Sequence, residues 1–203
     1  QGTSLTIAGL HGTMMGIASI LAGFASPHIA HRFGRTNGGW IGLVIFCTGL
    51  ATLMTFKPIQ VTLIAALVTG FGVSTVINSY VTSMNAHFGK LAPLAIAQAN
   101  GVSSAGYVLG TSLVGGIANY ARDLWRFGMA IAIPFTFLLF LVNRSVTKSD
   151  HVPSEAGPQK GKLSMRYWLA WFGFICSIGT EFATAFWAAA LVQDRTGASD
   201  AIS

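Results

Sequence analysis

At 203 residues, of which 52% are hydrophobic and only 9% charged, the chain has too little charge to surface a soluble domain, where about 25% is usual. Twelve Lys and Arg against six Asp and Glu give a formal charge of +6. The bases stand in ones and twos between apolar blocks, which excludes the basic stripe of a nucleic-acid-binding protein.

What remains is a polytopic membrane protein of all-α class, since helices satisfy their own backbone in lipid. Six stretches reach or approach the roughly 20 apolar residues needed to cross a bilayer. The first, about 5–28, carries His11 in its outer part and small residues four apart at Gly12/Gly16 and Ser19/Gly23. Such spacing lets helix backbones approach closely. It is followed by a short basic turn, HRFGRTNGG, at 31–39. The second stretch, about 39–56, has the same small-residue spacing at Gly38/Gly42 and holds Cys47. With Cys176 far away in another apolar run, neither a disulfide framework nor a metal motif follows.

The third stretch, about 59–83, contains Gly70-Phe71-Gly72, which begins like a dinucleotide loop but lacks the third glycine and lies in mid-span, so it reads as packing. Asn78 and Tyr80 follow it. The fourth, about 93–118, brings Gln98, Asn100 and the pair Gly106/Gly110, and the fifth covers about 125–143. Residues 144–166 hold five bases, two Pro and two acids, and read as a solvated linker. The sixth stretch, about 167–192, carries Glu181 near its middle and Trp187 six residues on.

Sorting the bases by alternate connectors puts Arg32, Arg35, Lys90, Arg144, Lys148, Lys160, Lys162 and Arg166 on one side, and Lys57, Arg122, Arg126 and Arg195 on the other. The richer side is expected to be cytoplasmic. The glycosylation-like Asn143-Arg144-Ser145 then faces the cytoplasm and stays unmodified. The chain lacks an initiator Met and ends at Asp200-Ala201-Ile202-Ser203, so it is expected to be an internal piece of a longer protein.

An ionisable group in hydrocarbon costs about 2.5–3.5 kcal/mol on insertion scales and usually acts in a cavity. Glu181, the sole carboxylate deep in a span, is therefore the first candidate for binding a coupling proton or a polar group of the solute, with Trp187 as a stacking wall. Asn78, Tyr80, Gln98 and Asn100 could line the same cavity or hold helices together. His28 and His31 are three apart but have no third ligand nearby, so no metal and no cofactor is expected. Membrane enzymes gather His, Asp or Glu at helix ends; finding no such cluster, we read the chain as a non-enzyme.

The stretch from Pro27 to Thr36, PHIAHRFGRT, resembles the cytoplasmic connector between the second and third helices of the major facilitator superfamily, roughly Gly-x-Leu-Ala-Asp-Arg-x-Gly-Arg-Arg. It matches at Arg32, Gly34 and Arg35, with Ile29 and Ala30 conservative, and departs at Pro27 for Gly and His31 for Asp. In the family that acid helps latch the outward-open state. Gly106 to Gly115 also resembles a glycine-rich stretch of the fifth helix associated with exporters, with Thr111 for Pro and Val114 for Gly.

The resemblance assigns the six stretches to helices two to seven. It implies an incomplete transporter bundle with residues 1–143 as the amino-terminal half, 144–166 as the cytoplasmic linker and 167–203 as the start of the second half. It further implies a secondary active transporter in the plasma (inner) membrane, working by alternating access on a small solute; the lone embedded carboxylate, Glu181, makes H+ symport the preferred coupling. The alternatives are a drug or metabolite exporter by proton antiport and a non-transporting sensor or scaffold. Arg32, Gly34 and Arg35 are expected to form the cytoplasmic gating motif.

Overall fold

A computed structural model describes residues 5–120, 125–143 and 164–197. They are helical almost throughout, with no strand among them: α1 (Leu5–Phe33), α2 (Arg35–Thr55), α3 (Ile59–Phe88), a 3-10 turn (Gly89–Leu91), α4 (Ala92–Tyr120), α5 (Trp125–Ala130), α6 (Ala132–Asn143) and α7 (Met165–Thr196). Among the described residues, three continuous helical runs are long and apolar enough to cross a membrane: Thr6–Phe33, Arg35–Thr55 and Ile59–Tyr120, the last of 62 residues. Gly128–Asn143 is a shorter apolar helix. Most of the linker expected at 144–166, and the Asn143-Arg144-Ser145 triplet beyond its first residue, lie outside the described residues.

The 62-residue run is two helices. Drawn straight, Tyr80 and Asn100 would sit about 30 Å apart at 1.5 Å per residue. Instead the Tyr80 hydroxyl donates to Asn100 Oδ1 at 2.7 Å, so the chain folds back at the 3-10 turn. Gly89, at φ 50, supplies the left-handed backbone for that reversal.

Two expectations need correction. The basic turn at 31–39 is one residue long: α1 runs to Phe33, α2 starts at Arg35, and Gly34 alone interrupts them, with φ 86 and ψ 159. That region is closed to any residue with a Cβ. The expected helix over 125–143 breaks at Ile131. Pro134 explains it, because its ring nitrogen cannot donate back to Ala130 and so ends the upstream ladder.

The described residues form two compact units, one of 5–108 with 126–143 and the other of 109–120 and 125 with 164–197. In the first unit α3 lies against both α1 and α2. Its core is made mostly of small residues: Ala18, Ala22, Ala65, Ala66 and Thr75 are buried together with Leu50, and Thr75 is the largest side chain fully enclosed. Large apolar residues point outward, as with Phe24, Val44 and Ile64 at 76%, 65% and 64% exposure. This inversion of the soluble pattern fits a bundle whose solvent is lipid, where close backbone approach replaces hydrophobic burial as the packing force.

The α2–α3 contact shows that approach directly. A Cβ built on Gly42 would lie 2.9 Å from Gly72 O and from Val76 N, and one on Gly49 would lie 2.6 Å from Thr69 N. Gly38 meets Ser79 Oγ at 3.1 Å, so the expected Gly38/Gly42 contact is real. The other expected pairs differ: Gly16, Gly23, Gly106 and Gly110 have nothing within 4 Å of a Cβ.

Candidate functional site

Apolar helices carry the polar groups, and most hydroxyls are satisfied within their own helix. Thr48, Thr52, Thr69 and Thr75 each donate to the carbonyl four residues back, at 2.7–2.8 Å. Among the described residues no buried polar side-chain atom lacks a partner. The informative groups are those that reach across helices.

Three such bonds join α1 to α3. His11 Nε2 meets Thr62 Oγ1 at 3.0 Å, Ser19 Oγ meets Ser74 Oγ at 2.7 Å, and Asn78 Nδ2 donates to Ser26 Oγ at 3.0 Å. Partner numbers rise together along both helices, so α1 and α3 run parallel. Against α2 the order reverses, Gly38 facing Ser79 and Gly49 facing Thr69, so α2 is antiparallel. The end of this unit that bears Arg32 and Arg35 therefore also bears Lys90, while Lys57 lies at the other end. Arg126 belongs to Lys57's end, since its Nη1 donates to Met54 O at 3.0 Å.

Between α3 and α4 the arrangement is open. Tyr80 and Asn100 form the bridge described above, and residues 100–113 are all exposed. Gln98 is exposed as well, but two residues are about 200° around a helix, so it points away from the Tyr80 bridge. Of the four polar candidates in this unit, the structure joins Tyr80 with Asn100. Asn78 instead has its amide committed to Ser26 on the α1 side.

Glu181 and Trp187 lie on α7 in the second unit and both are exposed, Trp187 at 47%. Six residues place them about 120° apart around the helix. The hydroxyls flanking Glu181 are taken up internally, Thr180 donating to Cys176 O at 2.9 Å and Thr184 to Thr180 O at 2.8 Å. The only carboxylates among the described residues are Glu181 and Asp194, and Asp194 sits in the last turn of α7 beside Arg195.

At the Arg32 end, the Arg32 guanidinium stands 5.6 Å above the Phe33 ring, which holds it beside the carboxyl end of α1 where the helix dipole favours a cation. Gly34 N–H donates to Ala30 O and Gly38 N–H to Gly34 O, both at 3.0 Å. The hydrogen-bond chain thus passes through the single-residue break, and α1 and α2 form a tight hairpin. His28 Nδ1 donates to Phe24 O at 3.2 Å. No group of three metal-ligating side chains occurs among the described residues.

A cavity of about 940 Å³ lies along α2 and α6 between Trp40, Val44, Thr48, Thr55, Phe137 and Phe140. Its hydroxyls at Thr48 and Thr55 are bonded to their own helix, and Trp40 closes on Phe140 edge to face at 5.2 Å. Apart from Cys47 and Thr136, the rest of its lining is apolar or bonded within its own helix, and this chemistry suits a hydrocarbon chain better than a polar solute.

Sequence reasoning missed the α1–α3 bonds of Ser19, Ser26, Thr62 and Ser74. Hydroxyl residues are frequent in this chain, and only the parallel registry of the two helices singles these out. Compared with known proteins, the chain matches the family model described as Major Facilitator Superfamily over residues 1–203. No curated protein and no solved structure matches it.

Proposed function

The chain belongs to the major facilitator superfamily, a family of secondary transporters embedded in membranes, and from that premise we propose that it carries a small polar solute by alternating access with proton symport. Residues 1–143 then contribute the first bundle, 144–166 the cytoplasmic linker and 167–203 the start of the second bundle. The Arg32, Arg35 and Lys90 end faces the cytoplasm because bases collect there.

The solute part of this reading is supported by the Tyr80–Asn100 bridge. Two hydrogen-bonding side chains on a helix pair that stays open, at equal depth from the Gly89 reversal, offer spare valences: Asn100 keeps its amide N–H groups, and Tyr80 can accept. Gln98, on the far side of α4, and Asn78, whose amide is bonded to Ser26, stand apart from this bridge. In this scheme Arg32, Gly34 and Arg35 gate from the cytoplasmic end, the rigid α1–α2 hairpin moving as one body. His31 stands where the family has an acid, so the hairpin moves without an Asp latch at that position.

The proton part is carried by one observation: Glu181 is the only described carboxylate in a helix interior. A group that costs several kcal/mol to insert is retained for work in a cavity, and a carboxylate is the group that can load and release a proton there. Trp187 lines the path on a neighbouring face of α7.

The test uses the full-length protein in proteoliposomes and a panel of labelled sugars, organic anions and amphipathic cations. An inward proton gradient should drive accumulation in the wild type. Glu181→Gln should abolish that accumulation, by about tenfold or more, while leaving exchange of labelled for unlabelled solute intact. Accumulation unchanged in Glu181→Gln removes the carboxylate from coupling. Accumulation driven by an outward proton gradient reverses the assignment to antiport.

A further inference from the structure

We propose that His11 is a second proton-binding site, holding a proton between α1 and α3 at the end opposite Arg32, Arg35 and Lys90. The site itself stands on hydrogen-bond geometry, and only its role in transport rests on the proton-coupled reading above.

His11 Nδ1 lies 2.9 Å from Ile7 O. A carbonyl only accepts, so Nδ1 carries a hydrogen. His11 Nε2 lies 3.0 Å from Thr62 Oγ1, and the same hydroxyl lies 3.0 Å from Ile59 O. Threonine has one hydroxyl hydrogen and cannot donate to both. Two arrangements follow, and they differ by one proton on the ring.

With a neutral ring, Thr62 donates to Nε2. When a proton from water bonds to the Nε2 lone pair, Nε2–H donates to Thr62 Oγ1 and the hydroxyl hydrogen swings to Ile59 O. Every polar atom has a partner in both states, and the change requires one hydroxyl rotation. A half-buried histidine in a seam whose other bonds are the neutral Ser19–Ser74 and Asn78–Ser26 contacts can thus take up and give back a proton without separating the helices.

The other ionisable groups of the packed helices lie away from this histidine. On α1 no other ionisable residue precedes His28. From α2, Cys47 lies at mid-helix and Arg35 at the far end; from α3, Tyr80 and His87 lie toward the far end. Lys57, in the α2–α3 connector, is the nearest charge along the chain, and Arg126 is bonded to Met54 O at this same end. No carboxylate occurs in α1, α2, α3 or α4, so the protonated ring has no ion-pair partner in these helices. The amino-terminal turns of α1 and α3 both lie here and oppose positive charge. The protonated form therefore depends on Ile7 O and on the Thr62–Ile59 acceptor chain.

The experiment records ring 15N signals of labelled histidines in the full-length protein in nanodiscs, with His11→Gln identifying the His11 signal. Between about pH 8 and pH 5, Nε2 should change from an acceptor nitrogen to an N–H while Nδ1 remains an N–H throughout. Thr62→Val removes the acceptor of a charge-assisted bond and should reduce the protonated fraction at a fixed acid pH by roughly three- to tenfold. Thr62→Ser keeps the hydroxyl and should stay within about twofold of wild type. An Nε2 signal that does not change over this range, or a Thr62→Val titration that overlays the wild type, overturns the site. Either result leaves the Glu181 test untouched, and a failed Glu181 test leaves this titration standing.

Discussion

The α2–α3 pair and the α4 helix both carry several glycines, yet they use them in opposite ways. On α2 and α3, Gly42, Gly49 and Gly72 sit where a Cβ would collide with neighbouring backbone. On α4, Gly101, Gly106, Gly110 and Gly116 have nothing within 4 Å. A small residue every fourth position permits close approach, but the partner surface decides whether it happens. The clamped α2 and α3 meet backbone against backbone, and imidazole, hydroxyl and amide bonds hold α3 in register with α1, whereas α4 is bonded to α3 by the Tyr80–Asn100 pair.

Substitutions at the two kinds of glycine should break this comparison most sharply. Gly49→Ala pushes a methyl into the Thr69 backbone, and overpacking of that sort costs about 1–3 kcal/mol; thermal unfolding of the purified protein in detergent should show the loss. Gly106→Ala fills open space and removes a helix-disfavouring residue, so the same measurement should show no loss or a gain of up to about 1 kcal/mol. Equal losses at both positions would mean that α4 is packed as tightly as α3.

Gly34→Ala comes next. It forces a Cβ into backbone that only glycine tolerates, at a cost of about 1–3 kcal/mol, and it should loosen the α1–α2 hairpin. Limited proteolysis near residue 34 should accelerate in the variant. The smallest effect is expected at Ser26→Ala, which removes the α1–α3 bond to Asn78. Interhelical bonds in membranes are worth about 0.6 kcal/mol on average, and denaturant titration in mixed micelles should report a change of that order.

Much of this architecture was legible before any coordinates. Apolar runs placed the helices to within a few residues at most ends, because lipid imposes a length and forbids unpaired backbone. The α1–α2 junction was not legible, since His31, Arg32, Arg35 and Asn37 look like loop residues and the break lies at Gly34 alone. Nor was the choice among four-residue glycine pairs, which depends on the facing surface at Gly72, Val76 and Ser79. Asn100 and Tyr80 were both visible as polar residues in a span. Their pairing required the reversal at Gly89. The role of Asn78 in bonding Ser26 required the parallel registry of α1 and α3.

The central claim is that the open α3–α4 face is wetted and carries solute, while the α3 core is dry. In a background with Cys47 and Cys176 replaced by serine, Asn100→Cys and Thr75→Cys should be exposed to a small water-soluble thiol reagent, which reacts only with hydrated thiolate. The account predicts rapid modification at position 100, slowed by a bound solute, and none at position 75. An unreactive cysteine at 100, with labelling recovered only after detergent extraction, would place that face in lipid and contradict the proposed solute path.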